Sequence, residues 1–267
     1  MILDALKLTD RVALITGAGR GLGRAMAVRF AQAGAHIAAA SRTAAQLEEA
    51  AGLVRETGRK CLAVPTDVTK SDQVDALAKA TLEEFGRIDI LINNAGGGEA
   101  GAGKRLDQLS DEEWRAGIDN NLSSQFYCCR AVIPHMVKQN RGKIINVASG
   151  YGLRGGKHNY MYACAKGGVI QLTRSLALTY AQDNIQTNCI VPGVFPHDQR
   201  LLDLFKGGKF IPIGRVGTDA DIGPLAVFLA SDAAACINGE LVAIDGGGLA
   251  GGIAPTGVLP VYTDGNP

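Results

Sequence analysis

The sequence predicts a single α/β domain, a doubly wound parallel sheet with helices on both faces. Two observations carry this. Short apolar runs alternate with longer amphipathic stretches along the whole chain, the pattern of strand–helix–strand units. Most of those runs are apolar throughout rather than alternating, as strands buried on both faces must be. A third observation sets the domain count: no linker-like stretch or internal repeat interrupts the 267 residues.

The strands are expected at Arg11–Thr16, Ala35–Ala40, Lys60–Thr66, Ile88–Asn93, Lys143–Ala148, Ile185–Val191 and Glu240–Ile244. Helical patterns fall between them, at 21–33, 44–57, 71–86, 111–139, 159–182 and 219–230. Thr43-x-x-Gln46 and Ser110-x-x-Glu113 are capping-box patterns where two of these helices should begin. The irregular stretches 94–110, 149–158 and 192–217 follow strand ends. Ligands of open α/β sheets bind at strand carboxyl ends, so these loops form the candidate site.

Composition narrows the function classes. Lys and Arg number 27 against 26 Asp and Glu, a net charge of +1, which excludes a globally basic nucleic-acid binder. Hydrophobic residues make up 46%, enough for a sizeable core. The start of the chain has no signal-peptide pattern and no apolar run reaches the ~18 residues of a membrane span, so a cytoplasmic protein is expected. The six cysteines include no Cys-x-x-Cys pair and the four histidines do not cluster. They read as reduced thiols, with no metal site.

Thr16-Gly17-Ala18-Gly19-Arg20-Gly21-Leu22-Gly23 joins the first strand to the first helix. Glycines there let the backbone approach a pyrophosphate, and the helix N-terminus offers amides and partial positive charge. The spacing Gly17-x-x-x-Gly21-x-Gly23 departs from the commonest dinucleotide fingerprint. Sites for NAD usually carry an acid after the second strand, for the ribose 2′-hydroxyl. Here that region reads Ala39-Ala40-Ser41-Arg42-Thr43. Arg42, with Ser41 and Arg20, suits a 2′-phosphate instead. The expectation is NADP, with NAD as the alternative.

Tyr162 and Lys166 stand at i and i+4, on one face of a helix. Ser149 lies thirteen residues upstream, after the run Ile144–Ala148. With these residues the sequence resembles the short-chain dehydrogenase/reductase family over about residues 9–248. The resemblance rests on the glycine turn, Asp67-Val68, Asn93-Asn94-Ala95-Gly96, Asn121, Ser149, Tyr162-x-x-x-Lys166, Pro192-Gly193 and Asp245-Gly246-Gly247. It implies a Rossmann-like sheet of seven strands and a nicotinamide cofactor. It also implies that Asn121, Ser149, Tyr162 and Lys166 are catalytic, Asn121 anchoring a relay water. Gly17, Gly21, Leu22, Gly23, Asp67, Val68, Asn94, Ala95, Gly96, Pro192, Gly193 and Phe195 would join Arg20, Ser41, Arg42, Tyr162 and Lys166 around the cofactor.

Reducing a carbonyl needs a hydride on carbon and a proton on oxygen. Tyrosine titrates near pH 10, and bringing it close to neutrality asks for roughly 4 kcal/mol. An ammonium one helical turn away favours the phenolate, so Tyr162 is the expected acid/base and Lys166 its tuner. Ser149 would hold the substrate oxygen. Tyr160 and Tyr151 have no lysine four residues on. His197 stands where the family has a Thr that touches the nicotinamide carboxamide; it can serve there or face the substrate.

Three functions remain open at this stage. The main reading is a dehydrogenase or reductase of a small alcohol or carbonyl compound, with no nucleic-acid or membrane partner. The others are a 3-oxoacyl-thioester reductase and a non-catalytic cofactor-binding regulator. Arg154, Lys157 and His158 point to an anionic or polyhydroxylated substrate such as a sugar acid, and the sequence also looks like the gluconate and glucose dehydrogenase branch. By resemblance a homotetramer is expected, with Val132, Ile133, Met136, Ile170, Leu172, Leu176 and Leu178 as candidate apolar surface, some of which must face the sheet instead. The catalytic domain is read as 1–248. The extension 249–267 is read either as a frayed end or as a segment covering a neighbouring subunit's pocket.

Overall fold

A computed structural model describes residues 2–97, 101–197 and 199–251. The extension beyond Gly251 lies outside the described residues. Seven strands are present: β1 (Val12–Thr16), β2 (His36–Ser41), β3 (Cys61–Pro65), β4 (Ile90–Asn93), β5 (Gly142–Val147), β6 (Ile185–Pro192) and β7 (Leu241–Ile244). All pair in parallel, in the order β3-β2-β1-β4-β5-β6-β7. Each expected strand is found within one or two residues of its sequence-based limits.

The helices are α1 (Gly21–Gln32), α2 (Ala44–Arg55), α3 (Ser71–Phe85), α4 (Asp111–Ile118), α5 (Ser124–Gln139), α6 (Tyr160–Thr179), α7 (Gln199–Leu204) and α8 (Asp219–Ala230). They flank the sheet on both sides because successive strand residues point to opposite faces. Ala13 and Ile15 of β1 join the core beneath α1, α2 and α8, whereas Leu14 joins the core beneath α3 and α5. Ile37 and Ala39 divide from Ala38 and Ala40 in the same way.

Two expectations need correction. The helix expected over 111–139 is broken by a π-helical turn at Asp119–Ser123. The turn adds one residue per repeat, which apolar spacing alone does not reveal. Thr43 does not cap α2; Gln46 lies against Gly19 instead, where a Cβ on that glycine would stand 3.4 Å from the Gln46 Cβ. Ser110 and Glu113 do form their reciprocal box. Of the seven residues named as candidate apolar surface, Val132, Ile133, Met136 and Ile170 are those that face the core, and Leu178 is exposed.

The chain reverses its direction across the sheet between β1 and β4. The carboxyl ends of those two strands therefore diverge into a crevice, the place where such sheets bind ligands.

Candidate active site

The crevice begins as a latch. Thr16 Oγ1, at the end of β1, accepts hydrogen bonds from the amides of Asn94 (3.0 Å) and Ala95 (3.1 Å). Asn94 Nδ2 returns one to the Thr16 carbonyl at 3.0 Å. This joins the loop after β4 to the glycine turn. Gly23 has no room for a side chain, since a Cβ would stand 2.2 Å from the Gly17 carbonyl oxygen. Gly17 adopts φ +66°, the left-handed region that favours glycine. The result is a bare α1 N-terminus: Arg20 occupies the cap with extended backbone and no side-chain cap, so the first amides face the crevice.

A cavity of about 530 Å³ opens from this turn. It is lined by Gly17, Arg20, Gly21, Leu22, Ser41, Arg42, Asp67, Val68, Asn94, Ala95, Gly96, Ser149, Tyr162, Lys166, Pro192, Gly193 and Phe195. Of the residues expected to be catalytic or to hold the cofactor, Gly23 and Asn121 are not on its wall: Gly23 sits behind the turn, and Asn121 is fully buried. Sequence reasoning missed Gly19, Thr43, Gln46, Thr66, Gly97, Asn120, Val147 and Ala148, which also line it. Most of these adjoin a residue already singled out, so widening each motif by one position would have found them.

The cofactor end has capacity left over. Ser41 Oγ is buried with no hydrogen-bond partner, and a Cβ on Gly19 would fall 2.7 Å from it. A buried hydroxyl without a partner is costly and marks a place for a polar ligand. Arg42, next in the chain, lines the same cavity. Asp67 Oδ1 accepts from the Thr69 amide (3.0 Å) and hydroxyl (2.8 Å). Burial works against its charge, but those bonds and the charge of Arg42 prevail and hold the carboxyl below its ordinary range. The glycine cradle, the bare helix end and the unpartnered hydroxyl fit a nicotinamide dinucleotide. His197 lies on the same wall, its Cβ 3.4 Å from where a Gly21 Cβ would be. That is the glycine-turn side of the cavity.

At the other end β5 delivers Ser149, whose Oγ accepts from the Tyr151 amide at 3.3 Å and caps a short turn. Helix α6 supplies Tyr162 and Lys166. The Lys166 ammonium is buried, donates to the Val147 carbonyl at 2.9 Å and lies 5.5 Å from the Tyr162 ring centre. Asn121, in the π-helical turn, accepts from the Gly97 amide (3.0 Å) and donates to the carbonyls of Gly97 and Gly117 (each 3.1 Å). Gly96 must be glycine: its φ is +151°, and a Cβ would stand 2.7 Å from Asn121 Oδ1 and 3.4 Å from Lys166 Nζ.

Beyond Tyr162 a second cavity of about 390 Å³ is bounded by Gly97, Ala102, Gly103, Tyr151, Lys157, His158, Asn159 and Tyr162. Among the described residues no cluster of three His, Cys, Asp or Glu side chains is placed to hold a metal, and no helix is long and apolar enough to cross a membrane. The buried thiols are held protonated: burial pushes Cys189 up to about 11 and Cys129 to about 12.

The profile of the short chain dehydrogenase family matches residues 11–200. The chain is 38% identical over 250 residues to the 3-oxoacyl-[acyl-carrier-protein] reductase of Chlamydia muridarum, covering 90% of this chain and 98% of that one. It is 38% identical over 263 residues to the 2-dehydro-3-deoxy-D-gluconate 5-dehydrogenase of Escherichia coli, covering 94% and 100%. The crystal structure of carveol dehydrogenase from Mycobacterium avium in complex with NAD superposes with a TM-score of 0.84 at 29% identity, covering 91% and 99%. Relatives of this kind span nearly the whole chain, and it belongs with them in the short-chain dehydrogenase family, whose members are oxidoreductases of alcohol and carbonyl groups that use a nicotinamide cofactor.

Proposed function

We propose that the protein is an NADP(H)-dependent oxidoreductase acting on the alcohol or carbonyl group of a small polar substrate, of the sugar or sugar-acid class. The observation that carries this is the Lys166 ammonium 5.5 Å from the Tyr162 ring centre, in a cleft that Ser149 and the glycine turn also line. When bound, the nicotinamide donates or accepts the hydride. In the direction of reduction Tyr162 gives its phenolic proton to the carbonyl oxygen, and Ser149 donates a hydrogen bond to the same atom. Lys166, fixed by the Val147 carbonyl, favours the phenolate that remains. Asn121 accepts from the Gly97 amide and donates to the Gly97 and Gly117 carbonyls, so besides the relay water the family resemblance implies it positions the wall at Gly97.

The choice of NADP rests on Ser41 and Arg42. The unpartnered hydroxyl and the guanidinium groups of Arg42 and the exposed Arg20, all on one cavity wall, suit a 2′-phosphate. The Escherichia coli relative's name supports the sugar-acid reading, and the Chlamydia relative's name supports a 3-oxoacyl-thioester substrate as the second one. We also propose a homotetramer that buries Phe126, Val137 and Leu178, which are exposed on α5 and α6, and a cytoplasmic location in keeping with unpaired thiols. The test is nicotinamide absorbance with sugar acids, neutral sugars and acyl thioesters, each with both cofactors. Turnover confined to acyl thioesters would replace the sugar-acid reading. Light scattering at micromolar concentration tests the tetramer.

A further inference from the structure

We infer that the cavity beyond Tyr162 is a carboxylate subsite, in which Lys157 and His158 hold the acid group of a short polyhydroxylated substrate while its carbonyl or carbinol carbon lies at Tyr162. This rests on the oxidoreductase reading above and assigns its substrate class to named residues.

The cavity continues the cofactor cleft, sharing Gly97 and Tyr162 with it. Its far wall is held in place by the main chain. The Gly103 amide donates to the His158 carbonyl at 3.1 Å, which ties the loop after β4 to the loop after β5. Tyr151 packs edge-on against Tyr162, ring centres 6.3 Å apart. Gly156 lies flat on Tyr151, and a Cβ there would fall 2.7 Å from its ring.

Within that wall His158 is held at φ +57°, a region that costs a non-glycine residue energy. Its Nδ1 is buried and has no hydrogen-bond partner. The structure thus bears two costs at one residue, backbone strain and an unsatisfied ring nitrogen. The residue also lines the cavity, where a ligand can meet its ring. Lys157, next in the chain, lines the same cavity and makes no ion pair among the described residues.

The described lining contains a lysine and no carboxylate. Among the described residues the nearby acid Glu113 is occupied by Lys104 at 2.6 Å; Glu99 lies outside them. An ammonium and an imidazole N–H side by side match the two oxygens of a carboxylate. Tyr151 and Asn159 add hydroxyl and amide groups suited to substrate hydroxyls. Arg154, grouped with these cations from the sequence, is placed elsewhere. Its guanidinium lies over the Tyr151 ring at 5.7 Å and lines a separate cavity that includes Asp245.

The test compares D-gluconate with sorbitol, which has the same carbon chain with a CH2OH in place of the carboxylate. Titration calorimetry on the NADP⁺-saturated protein measures both. Gluconate should bind about tenfold tighter than sorbitol, the worth of one charge-assisted hydrogen bond. Lys157→Gln should abolish that advantage and leave NADP⁺ affinity unchanged, while Lys157→Arg retains it. His158→Asn, which tolerates the same backbone angle, should weaken gluconate severalfold and sorbitol not at all. Equal binding of the two polyols, or gluconate affinity unchanged in both Lys157→Gln and His158→Asn, overturns the subsite. Failure of the underlying reading looks different: no substrate of any charge is turned over although NADP⁺ binds.

Discussion

The two ends of the sheet use the same kinds of charged residue to opposite effect. At the amino ends of β1, β4 and β5 the fold consumes their bonding capacity. Asp89 accepts from the Val12 amide at 2.9 Å and from Arg87 Nε at 2.8 Å. Arg11 donates to the Ala230 carbonyl at 3.0 Å and to Asp232, which Arg141 also reaches at 2.9 Å. Lys143, buried in β5, points its ammonium at the Ala234 carbonyl. At the carboxyl ends capacity is left over: Ser41 Oγ and His158 Nδ1 are buried and unpartnered, and Arg20, Arg42 and Lys157 line cavities. Unused bonding capacity is not by itself the mark of a site, since Arg59 Nε, Asn93 Oδ1, Gln125 Oε1 and Thr187 Oγ1 are also buried and unpartnered away from both cavities, and the fold uses bonds of Lys166 and Ser149. As a rule to be tested, it points to function where it adjoins a cavity.

That rule can be broken by substitution. The largest effect is expected at Tyr162, which lines the cleft. Tyr162→Phe should lower kcat at least about a thousandfold, with cofactor affinity and melting temperature little changed. Steady-state kinetics with calorimetry on one preparation checks both halves. Near-normal turnover would remove Tyr162 as the acid/base.

The matching experiment at the amino ends concerns Lys143. Burial pushes its ammonium down from 10.5 to about 8, with Arg11 and Arg141 opposing the charge and Asp232 favouring it. The folded state therefore binds the proton less well than the unfolded chain does. At about 1.4 kcal/mol per pH unit this amounts to about 3 kcal/mol of destabilisation, fully present below pH 8. It fades as pH rises from about 8 towards 10.5, where the unfolded chain also loses its proton. Lys143→Met should raise stability by up to that amount at pH 7, and the gain should vanish near pH 10.5 without any change in kcat. Denaturant melts at three pH values would show it. A gain independent of pH would mean that packing, not charge, is responsible.

The contrast also explains what the sequence made legible. Strands apolar on both faces and the glycine turn are dictated by local sterics, so all seven strands and the cradle could be read directly. Tyr162 and Lys166 were legible because helical spacing alone puts them on one face. The π-helical turn at Asp119–Ser123 was not, because inserting one residue leaves the apolar pattern almost intact. Nor was the division between Lys157 and Arg154, three residues apart in one loop. It depends on the Tyr151 ring taking up Arg154 and on a Gly103–His158 hydrogen bond made across 55 residues of chain. Long-range contacts of that kind have no local signature.

Arg42 gives a smaller effect than either, because it tests a preference. Arg42→Asp should turn the ratio of NADP to NAD affinity over by about a hundredfold, as a carboxylate repels the 2′-phosphate and suits a ribose hydroxyl. Competitive titration of the two cofactors reads it. A wild-type protein that already favours NAD would show that the spare capacity of Ser41 and Arg42 serves something else.

The smallest effect sharpens the rule, because it concerns a polar group that lies at the functional end of the sheet yet is fully used by the fold. Ser110 precedes α4, in the loop after β4. Its hydroxyl accepts from the Glu113 amide at 3.2 Å, and the Glu113 carboxylate accepts from the Ser110 amide at 3.0 Å. Glu113 in turn holds Lys104 and lies against Gly101, behind the wall of the second cavity. If satisfied groups are structural wherever they sit, Ser110→Ala should cost about 1 kcal/mol, the worth of a helix cap. That is about 2–4 °C in melting temperature for a chain of this length. KM and kcat should stay within about twofold, since the Glu113–Lys104 pair and the Gly103–His158 hydrogen bond do not pass through the serine hydroxyl. Thermal melts and steady-state kinetics on the same variant decide between the two accounts. A rise in KM with an unchanged melting temperature would mean that the cap tunes the substrate wall, and that spare bonding capacity is not the mark of function at this end of the sheet.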